Sequence, residues 1–170
     1  MTSTICTIGF TQKSAQEFFA LLQEAEVRRL IDVRENRGGQ LAGFAKHPDL
    51  EFFLRSVAGI DYLYDPLLAP SPSIREAYRA TRDWPQYETS FLRLMQERNV
   101  PEAVAPGSYE GIVALLCSEP TAEKCHRRLV AELLAAHWNV QGHAVSVKHL
   151  ALDRSIQSQG ERNHRRGRRK

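Results

Sequence analysis

Hydrophobic residues along the chain follow two spacings, one typical of strands and one typical of helices. Segment 3–9, STICTIG, is rich in β-branched residues and stops at Gly9, while segment 14–26 places apolar residues at helical spacing behind Ser14, a favoured N-cap residue. The same alternation continues along the chain. Short apolar runs predict strands at 27–34, 61–68, 111–117 and 143–150, and helical spacing predicts helices at 47–59, 72–80, 84–98 and 121–138.

This order of elements predicts one Rossmann-like α/β domain over residues 1–152. Parallel strands need a crossover connection, which is usually a helix, so alternating strands and helices favour a mostly parallel sheet. We expect about five strands with helices on both faces of the sheet. A chain of 170 residues suits one domain with a sizeable core, and we find neither an internal repeat nor a second domain.

The basic character of the chain lies at its C-terminus. The last ten residues contain six Arg or Lys and one Glu, so the other 160 residues carry 17 basic and 19 acidic side chains. From residue 153 onward the apolar periodicity disappears, and such a composition cannot bury enough surface to fold. We therefore expect 153–170 to be a basic, disordered tail. Residues 162–170 can bind nucleic acid through salt-sensitive attraction, or can act only as a solubilising extension.

The sequence predicts a cytoplasmic protein without a membrane partner. No apolar run approaches the roughly 20 residues that a membrane-spanning helix needs. The N-terminus lacks the basic start and apolar stretch of a secretory signal. Three cysteines are too few for a disulfide framework, which leaves packing, metal binding or reactivity as their roles. No cofactor is predicted, and the oligomeric state is left open.

Polar residues cluster just after the predicted strands. Ligands of open α/β sheets bind beyond the carboxyl ends of the strands, so these residues are expected to converge. They are Gly9, Phe10, Thr11, Asp32, Arg34, Glu35, Asp65, Cys117, Ser118 and Glu119. Asp32 stands within the apolar run LIDV, where a charge is costly unless it is paired or used. Asp32 and Arg34 therefore form either a structural ion pair or part of a binding site.

The segment LLCSEPTAEKCHRR at 115–128 is the strongest candidate for chemistry. If Thr121 caps the helix predicted at 121–138, then Cys125, His126 and Arg127 lie near its N-terminus, where free N–H groups favour an anion. Arg127 or Arg128 can add bidentate contacts to that anion. The same field lowers the pKa of a nearby thiol, Cys117 or Cys125, with Glu119 or His126 as acid or base. Alternatively, both cysteines are buried packing residues.

A metal site is not predicted from this segment. Adjacent helical positions point about 100° apart, so Cys125 and His126 are not expected to share an ion. The C-x₂-C spacing that is typical of zinc sites is also absent.

Several motifs in order resemble the domain of unknown function 488 family. They are TIGFT, LIDVR, GFAKHPDL, GIDYLYDPLL, LLCSE and CHR, and they cover about residues 5–150. The resemblance implies an α/β domain with polar motif residues at one end of the sheet, in a family whose activity is largely unassigned. The residues that match the family's motifs are Gly9, Thr11, Asp32, Arg34, Phe44, Lys46, Cys117, Glu119, Cys125, His126 and Arg127. Phe10 stands where His is common in the family, and the segment after Arg34 lacks its usual Pro and Ser residues.

LIDVRE is also similar to a segment of rhodanese-like domains. Those domains carry a cysteine directly after a strand, followed six residues later by an arginine. Cys117 meets the first condition, but position 123 is Glu. A thiol enzyme that uses Cys117 is therefore an alternative.

The leading hypothesis is a domain that binds an anionic small molecule or nucleotide, bearing phosphate or carboxylate, at the strand ends. We predict Gly9, Thr11, Asp32, Arg34, Lys46, Cys125 and Arg127 as ligand-binding residues, and Cys117, Glu119 and His126 as catalytic if a reaction occurs. Whether the protein is an enzyme is left open. The alternatives are a nucleic-acid-associated protein with a basic tail and the rhodanese-like enzyme.

Overall fold

Five parallel strands form one sheet in the order β3-β2-β4-β1-β5. A computed structural model describes residues 2–39 and 42–152. The strands are β1 (Thr2–Gly9), β2 (Arg29–Asp32), β3 (Asp61–Tyr64), β4 (Gly111–Cys117) and β5 (Ala144–His149). Every pairing is parallel, which confirms the predicted α/β architecture and the number of strands.

Helices connect the strands and cover the sheet. They are α1 (Ala15–Glu24), α2 (Asp49–Phe52), α3 (Pro72–Thr81), α4 (Trp84–Glu97) and α5 (His126–Val140). Helix α2 continues as a π-helical turn over Phe53–Ala58, and short 3₁₀ turns span Gly43–Ala45, Pro66–Leu68 and Pro106–Tyr109. Ser14 caps α1 as predicted, with Glu17 completing a capping box.

The alternation of side chains along the strands divides the core into two hydrophobic clusters. Ile5 of β1 packs in the cluster that also contains residues of α4 and α5, whereas the adjacent Cys6 packs in the cluster that contains residues of α1. In β4, Val113 and Leu115 belong to the first cluster, while Ala114 and Leu116 belong to the second. Successive strand residues point to opposite faces, so helices cover both faces as predicted.

Two predicted elements differ from the structure by four or more residues at one end. The third strand stops at Tyr64 rather than 68, because Asp65 caps a 3₁₀ turn that begins at Pro66. The helix predicted at 121–138 begins at His126, so Thr121 is not its cap and Cys125 is the extended residue before it. Arg128 Nε donates to the carbonyl of Glu123, which stabilises a turn where the sequence predicted the first helical residues.

No helix in the described part of the chain is long and apolar enough to cross a membrane. The predicted basic tail at 153–170, including the nucleic-acid candidate 162–170, lies outside the described residues.

Candidate functional site

The residues at the ends of β1, β2 and β4 lie side by side, as predicted, because β4 lies between β1 and β2 in the sheet. Gly9 is paired with Cys117, and Asp32 is paired with Leu116. All three strands run in the same direction, so the loops that follow them leave the same edge of the sheet. The N-terminus of α5 reaches this edge too, because the Nε2 atom of His126 lies 3.0 Å from the carbonyl oxygen of Val33, just after β2.

The loop between β4 and α5 is held by backbone contacts with the loop after β1. Thr11 N–H donates to the carbonyl of Ser118 at 3.2 Å. Arg127, which is 1% exposed, donates from Nη1 to the carbonyl of Glu119 at 2.7 Å. Gly9 lies against the same Glu119 carbonyl. Gly9, Thr11 and Arg127 therefore position the loop that carries Ser118 and Glu119.

Cys117, Cys125 and His126 meet at the base of this edge. The Sγ atom of Cys117 lies 3.5 Å from Nδ1 of His126, and one donor atom from each of the three residues lies within 4.8 Å of the others. All three side chains are buried. Nη1 of Arg127 donates to Sγ of Cys125 at 3.4 Å. The site thus combines two thiols and an imidazole whose Nε2 is held by a backbone carbonyl.

The surroundings shift the pKa values of the two thiols in opposite directions. A hydrogen bond from Cys125, attraction to His126 and the backbone N–H of Glu119 hold the pKa of Cys117 well below its usual value. Burial raises the pKa of Cys125 well above its usual value. For His126, burial is the largest effect and disfavours the charged ring, but attraction to Cys117, the hydrogen bond with Cys117 and the contact with the Val33 carbonyl together raise the pKa. Cys117 is therefore the more acidic of the two thiols.

We expected Cys125 and His126 not to share an ion because both were placed inside a helix, and that position is wrong for Cys125. Neighbouring side chains inside a helix diverge by about 100°. Cys125 instead has extended backbone angles, with φ −142° and ψ 137°, and His126 is the first helical residue. The bend between them turns both side chains towards Cys117.

Asp32 and Arg34 form a buried ion pair. Asp32 is 0% exposed, and its two carboxylate oxygens accept from Nε and Nη2 of Arg34 at 2.8 and 2.7 Å. The hydroxyl of Tyr62 also donates to Asp32, and burial raises the pKa of this tyrosine to about 12. Nη1 of Arg34 donates to the carbonyl of Ala45 at 2.9 Å. The structural ion pair, one of the two alternatives for these residues, is thus present.

A cavity of about 370 Å³ opens above the thiols and the ion pair. Strand ends and loops supply one side of it, and α3 and α4 supply the other. Its lining residues are Arg34, Glu35, Asn36, Pro70, Arg75, Tyr78, Arg79, Arg82, Trp84, Tyr87, Cys117, Ser118, Glu119, Lys124, Cys125 and His126. A second, more open depression of about 530 Å³ shares Glu35, Asn36 and Arg75 with it.

Five of the predicted site residues line the cavity, namely Arg34, Cys117, Glu119, Cys125 and His126. The other five, which the structure also describes, are not among its lining residues: Gly9, Thr11, Asp32, Lys46 and Arg127. Gly9, Thr11 and Arg127 hold the loop, and Asp32 holds Arg34. The carbonyl of Lys46 accepts from Leu50 N–H at the start of α2.

The wall of the cavity that α3 and α4 supply was not predicted from the sequence. Arg75, Arg79 and Arg82 follow one another at spacings of four and three residues, which are typical of one face of a helix. Arg75 and Arg79 lie on α3, and Arg82 is the residue that follows its last turn. That basic stripe was the available signal. Helix α3 has no buried residues, and the aromatic rings of Tyr78, Trp84 and Tyr87 lie beside the stripe.

The rhodanese-like alternative keeps the cysteine at a strand end. Cys117 is the last residue of β4. Glu123, where an arginine would be needed, is exposed, and Arg127 is occupied by the Glu119 carbonyl and Cys125. The alternative therefore depends on the Cys117–His126 pair alone.

Comparison with known proteins gives one family. No curated protein and no solved structure matches the chain significantly. The model of the family described as "Domain of unknown function DUF488" matches residues 14–134. The matched segment contains the whole of the β4–α5 loop, the Asp32–Arg34 pair and the cavity described above. On this match, which covers most of the chain, the protein belongs to the DUF488 family.

Proposed function

We propose that this domain binds a ligand that carries a phosphate or carboxylate group, in the cavity at the carboxyl ends of the strands. The observation that carries the proposal is the charge of the lining. Five cationic side chains line the cavity, Arg34, Arg75, Arg79, Arg82 and Lys124, against two carboxylates, Glu35 and Glu119. A concave surface of one sign concentrates ions of the opposite sign.

Part of this positive charge is already paired. Arg34 is neutralised by Asp32, and Arg75 forms an ion pair with Glu35. Arg79, Arg82 and Lys124 have no carboxylate partner among the described residues, and all three are exposed. These three cations are the groups that we expect to meet an anion. Guanidinium groups suit this role because their planar donors match phosphate and carboxylate oxygens.

The aromatic wall favours a nucleotide among the possible anions. The ring of Trp84 stacks on that of Tyr87, with centroids 5.1 Å apart and planes 23° apart. Tyr78 lies across both rings, and Trp84 and Tyr78 are only partly buried. A partly exposed aromatic face stacks with nucleobases of any sequence, while the adjacent arginines are available for the phosphate.

Thermal unfolding with a panel of anions tests the proposal. Inorganic phosphate, a dicarboxylate and nucleoside monophosphates are compared at low and high salt, since a ligand that binds only the folded state raises the melting temperature. At least one anion is expected to stabilise the full chain, with a smaller effect at high salt. Arg79→Ala and Arg82→Ala are each expected to weaken binding roughly two- to fivefold, the effect of losing an exposed charge contact.

Arg93→Ala is the matched control. Arg93 is an exposed arginine on α4 that does not line the cavity. Its removal lowers the net charge by the same amount, so an equal loss of affinity would point to a general charge effect. A folded protein that no anion stabilises would overturn the proposal.

A further inference from the structure

The cluster of Cys117, Cys125 and His126, here called the Cys₂His cluster, has the composition of a metal site. Its three donor atoms, two sulfurs and a ring nitrogen, lie within 4.8 Å of one another. The residues are 5%, 1% and 7% exposed. Thiolate and imidazole are the ligands preferred by zinc and similar soft divalent cations.

The separation of one sulfur–nitrogen pair fits such an ion, and the three donor atoms all lie within 4.8 Å of one another. With Zn–S near 2.3 Å and Zn–N near 2.0–2.1 Å, the ligand atoms of a tetrahedral site lie roughly 3.5–3.8 Å apart. The Cys117 Sγ to His126 Nδ1 distance is 3.5 Å. The sulfur and nitrogen are therefore already at the separation that a shared zinc ion requires.

The groups around the cluster orient its donors. Nε2 of His126 lies 3.0 Å from the Val33 carbonyl, so in the neutral ring Nε2 donates to that oxygen and Nδ1, on the side of Cys117, is the nitrogen that can bind a metal. A histidine held through its second nitrogen by a carbonyl is the usual arrangement of metal-binding imidazoles. Nη1 of Arg127 donates to Sγ of Cys125, an N–H to sulfur contact that favours the thiolate.

Charge balance also favours a divalent cation. A divalent cation displaces the protons of both thiols when it binds, and it then supplies the counter-charge that the buried sulfurs need. A divalent cation bound by two thiolates and a neutral imidazole makes the group neutral. All three residues line the cavity, so a fourth coordination position would face it.

We propose that the Cys₂His cluster binds one zinc ion or a comparable soft divalent cation, with its fourth coordination position open to the cavity. Three protein ligands and an open position are the pattern of catalytic rather than structural zinc sites. Water or the anionic group of a ligand would complete the coordination. The metal site goes beyond the anion-binding proposal and does not depend on it.

Metal content of the full chain tests the site. Reduced protein is stripped with a chelator, reconstituted with Zn²⁺ or Co²⁺, desalted and measured by elemental analysis. About one zinc ion per chain is expected, and the cobalt form is expected to show intense thiolate-to-cobalt charge-transfer absorption. Cys117→Ser, Cys125→Ser and His126→Ala are each expected to weaken zinc binding at least tenfold in competition with a chromophoric chelator.

Two controls match these variants. Cys6→Ser removes the third buried cysteine, which lies in β1 outside the cluster, and His137→Ala removes another histidine of α5. Both are expected to keep the metal. If the control variants lost as much zinc affinity as the cluster variants, the proposal would be overturned.

The wild-type protein decides the question even if a cluster variant fails to fold. Bound zinc is expected to slow alkylation of Cys117 and Cys125, measured by mass spectrometry of the digested protein. A cobalt form without thiolate charge transfer, or zinc that leaves both alkylation rates unchanged, would overturn the site. The Cys117–His126 pair would then be left to the thiol-enzyme alternative, while the anion panel would be unaffected.

Discussion

Gly9 lies so close to Glu119 that no side chain fits between them. A Cβ atom on Gly9 would be 1.7 Å from the carbonyl oxygen of Glu119 and 3.0 Å from Nη1 of Arg127. The carbonyl is itself held by Arg127 at 2.7 Å. The absent side chain at the end of β1 thus sets the path of the loop that carries Glu119.

Gly9→Ala is therefore expected to lower the free energy of unfolding by about 1–3 kcal/mol or more, because backbone must move to admit the methyl group. Urea unfolding measures the loss. Gly107→Ala is the control, since a Cβ there has no heavy atom within 4 Å and is expected to change stability by less than about 0.5 kcal/mol. Equal losses of unfolding free energy in the two variants would contradict the role of Gly9 in setting the path of the loop.

Because Asp32 and Arg34 form a buried ion pair, we expect removal of one partner to lower the free energy of unfolding strongly. Asp32→Ala is expected to lower the free energy of unfolding by about 3–5 kcal/mol, because the buried guanidinium of Arg34 loses its counter-ion. Asp61→Ala breaks the Arg29–Asp61 pair, whose side chains are 26% and 47% exposed, and is expected to cost about 0–1 kcal/mol. Denaturant unfolding of both variants compares the two pairs, and similar costs would contradict the prediction.

Asp65 predicts a pH dependence of stability. Burial raises its pKa, while the N–H of Leu67 opposes the shift. The folded pKa lies above the unfolded value of about 3.9, so the folded state holds the proton more tightly and the charged carboxylate costs stability at neutral pH. This cost disappears as the pH falls through the folded pKa. Asp65→Asn, which keeps the accepting oxygen, is expected to be more stable than wild type at pH 7, with a smaller difference in acid.

Asp61→Asn is the control, because this substitution is expected to change the stability at neutral pH in the opposite direction. A hydrogen bond from Arg29 lowers the pKa of Asp61, so its charge stabilises the protein at neutral pH and this stability is lost as the pH falls through the folded pKa. Unfolding curves from pH 7 down to about pH 2 measure both variants, because the folded pKa of Asp61 lies below the usual carboxyl value. The same sign at the two positions would contradict the prediction.

Because Trp84 lines the cavity, we expect ligands that contain a nucleobase to bind more tightly than those that do not. Trp84→Ala is expected to weaken nucleoside monophosphate binding by about five- to 150-fold, the equivalent of 1–3 kcal/mol of stacking, and to leave inorganic phosphate nearly unchanged. Isothermal titration measures both affinities. Phe52→Ala, at an aromatic residue that is 58% exposed and outside the cavity, is the control. An equal loss for phosphate and nucleotide would contradict stacking.

Local sequence was sufficient for elements that local interactions stabilise. The Ser14 cap bonds to Glu17 three residues away, and Gly59 ends the π-helical turn with φ 68°, a conformation that glycine adopts without strain. The start of α5 could not be predicted in this way. It depends on Arg128 donating to the Glu123 carbonyl and Arg127 donating to the Glu119 carbonyl, contacts that only a folded loop provides.

The sequence by itself determined the α/β class, the five strands and the edge of the sheet where polar residues gather, because hydrophobic periodicity and the alternation of strands and helices along the chain follow from neighbouring residues. Tertiary structure decided what those residues do. It paired Asp32 with Arg34, directed Arg127 into the loop, brought α3 and α4 over the strand ends and turned Cys125 and His126 towards Cys117. The contact between His126 and the Val33 carbonyl, which holds the imidazole beside Cys117, joins residues 93 positions apart, and the packing of β2, β4 and α5 brings them together.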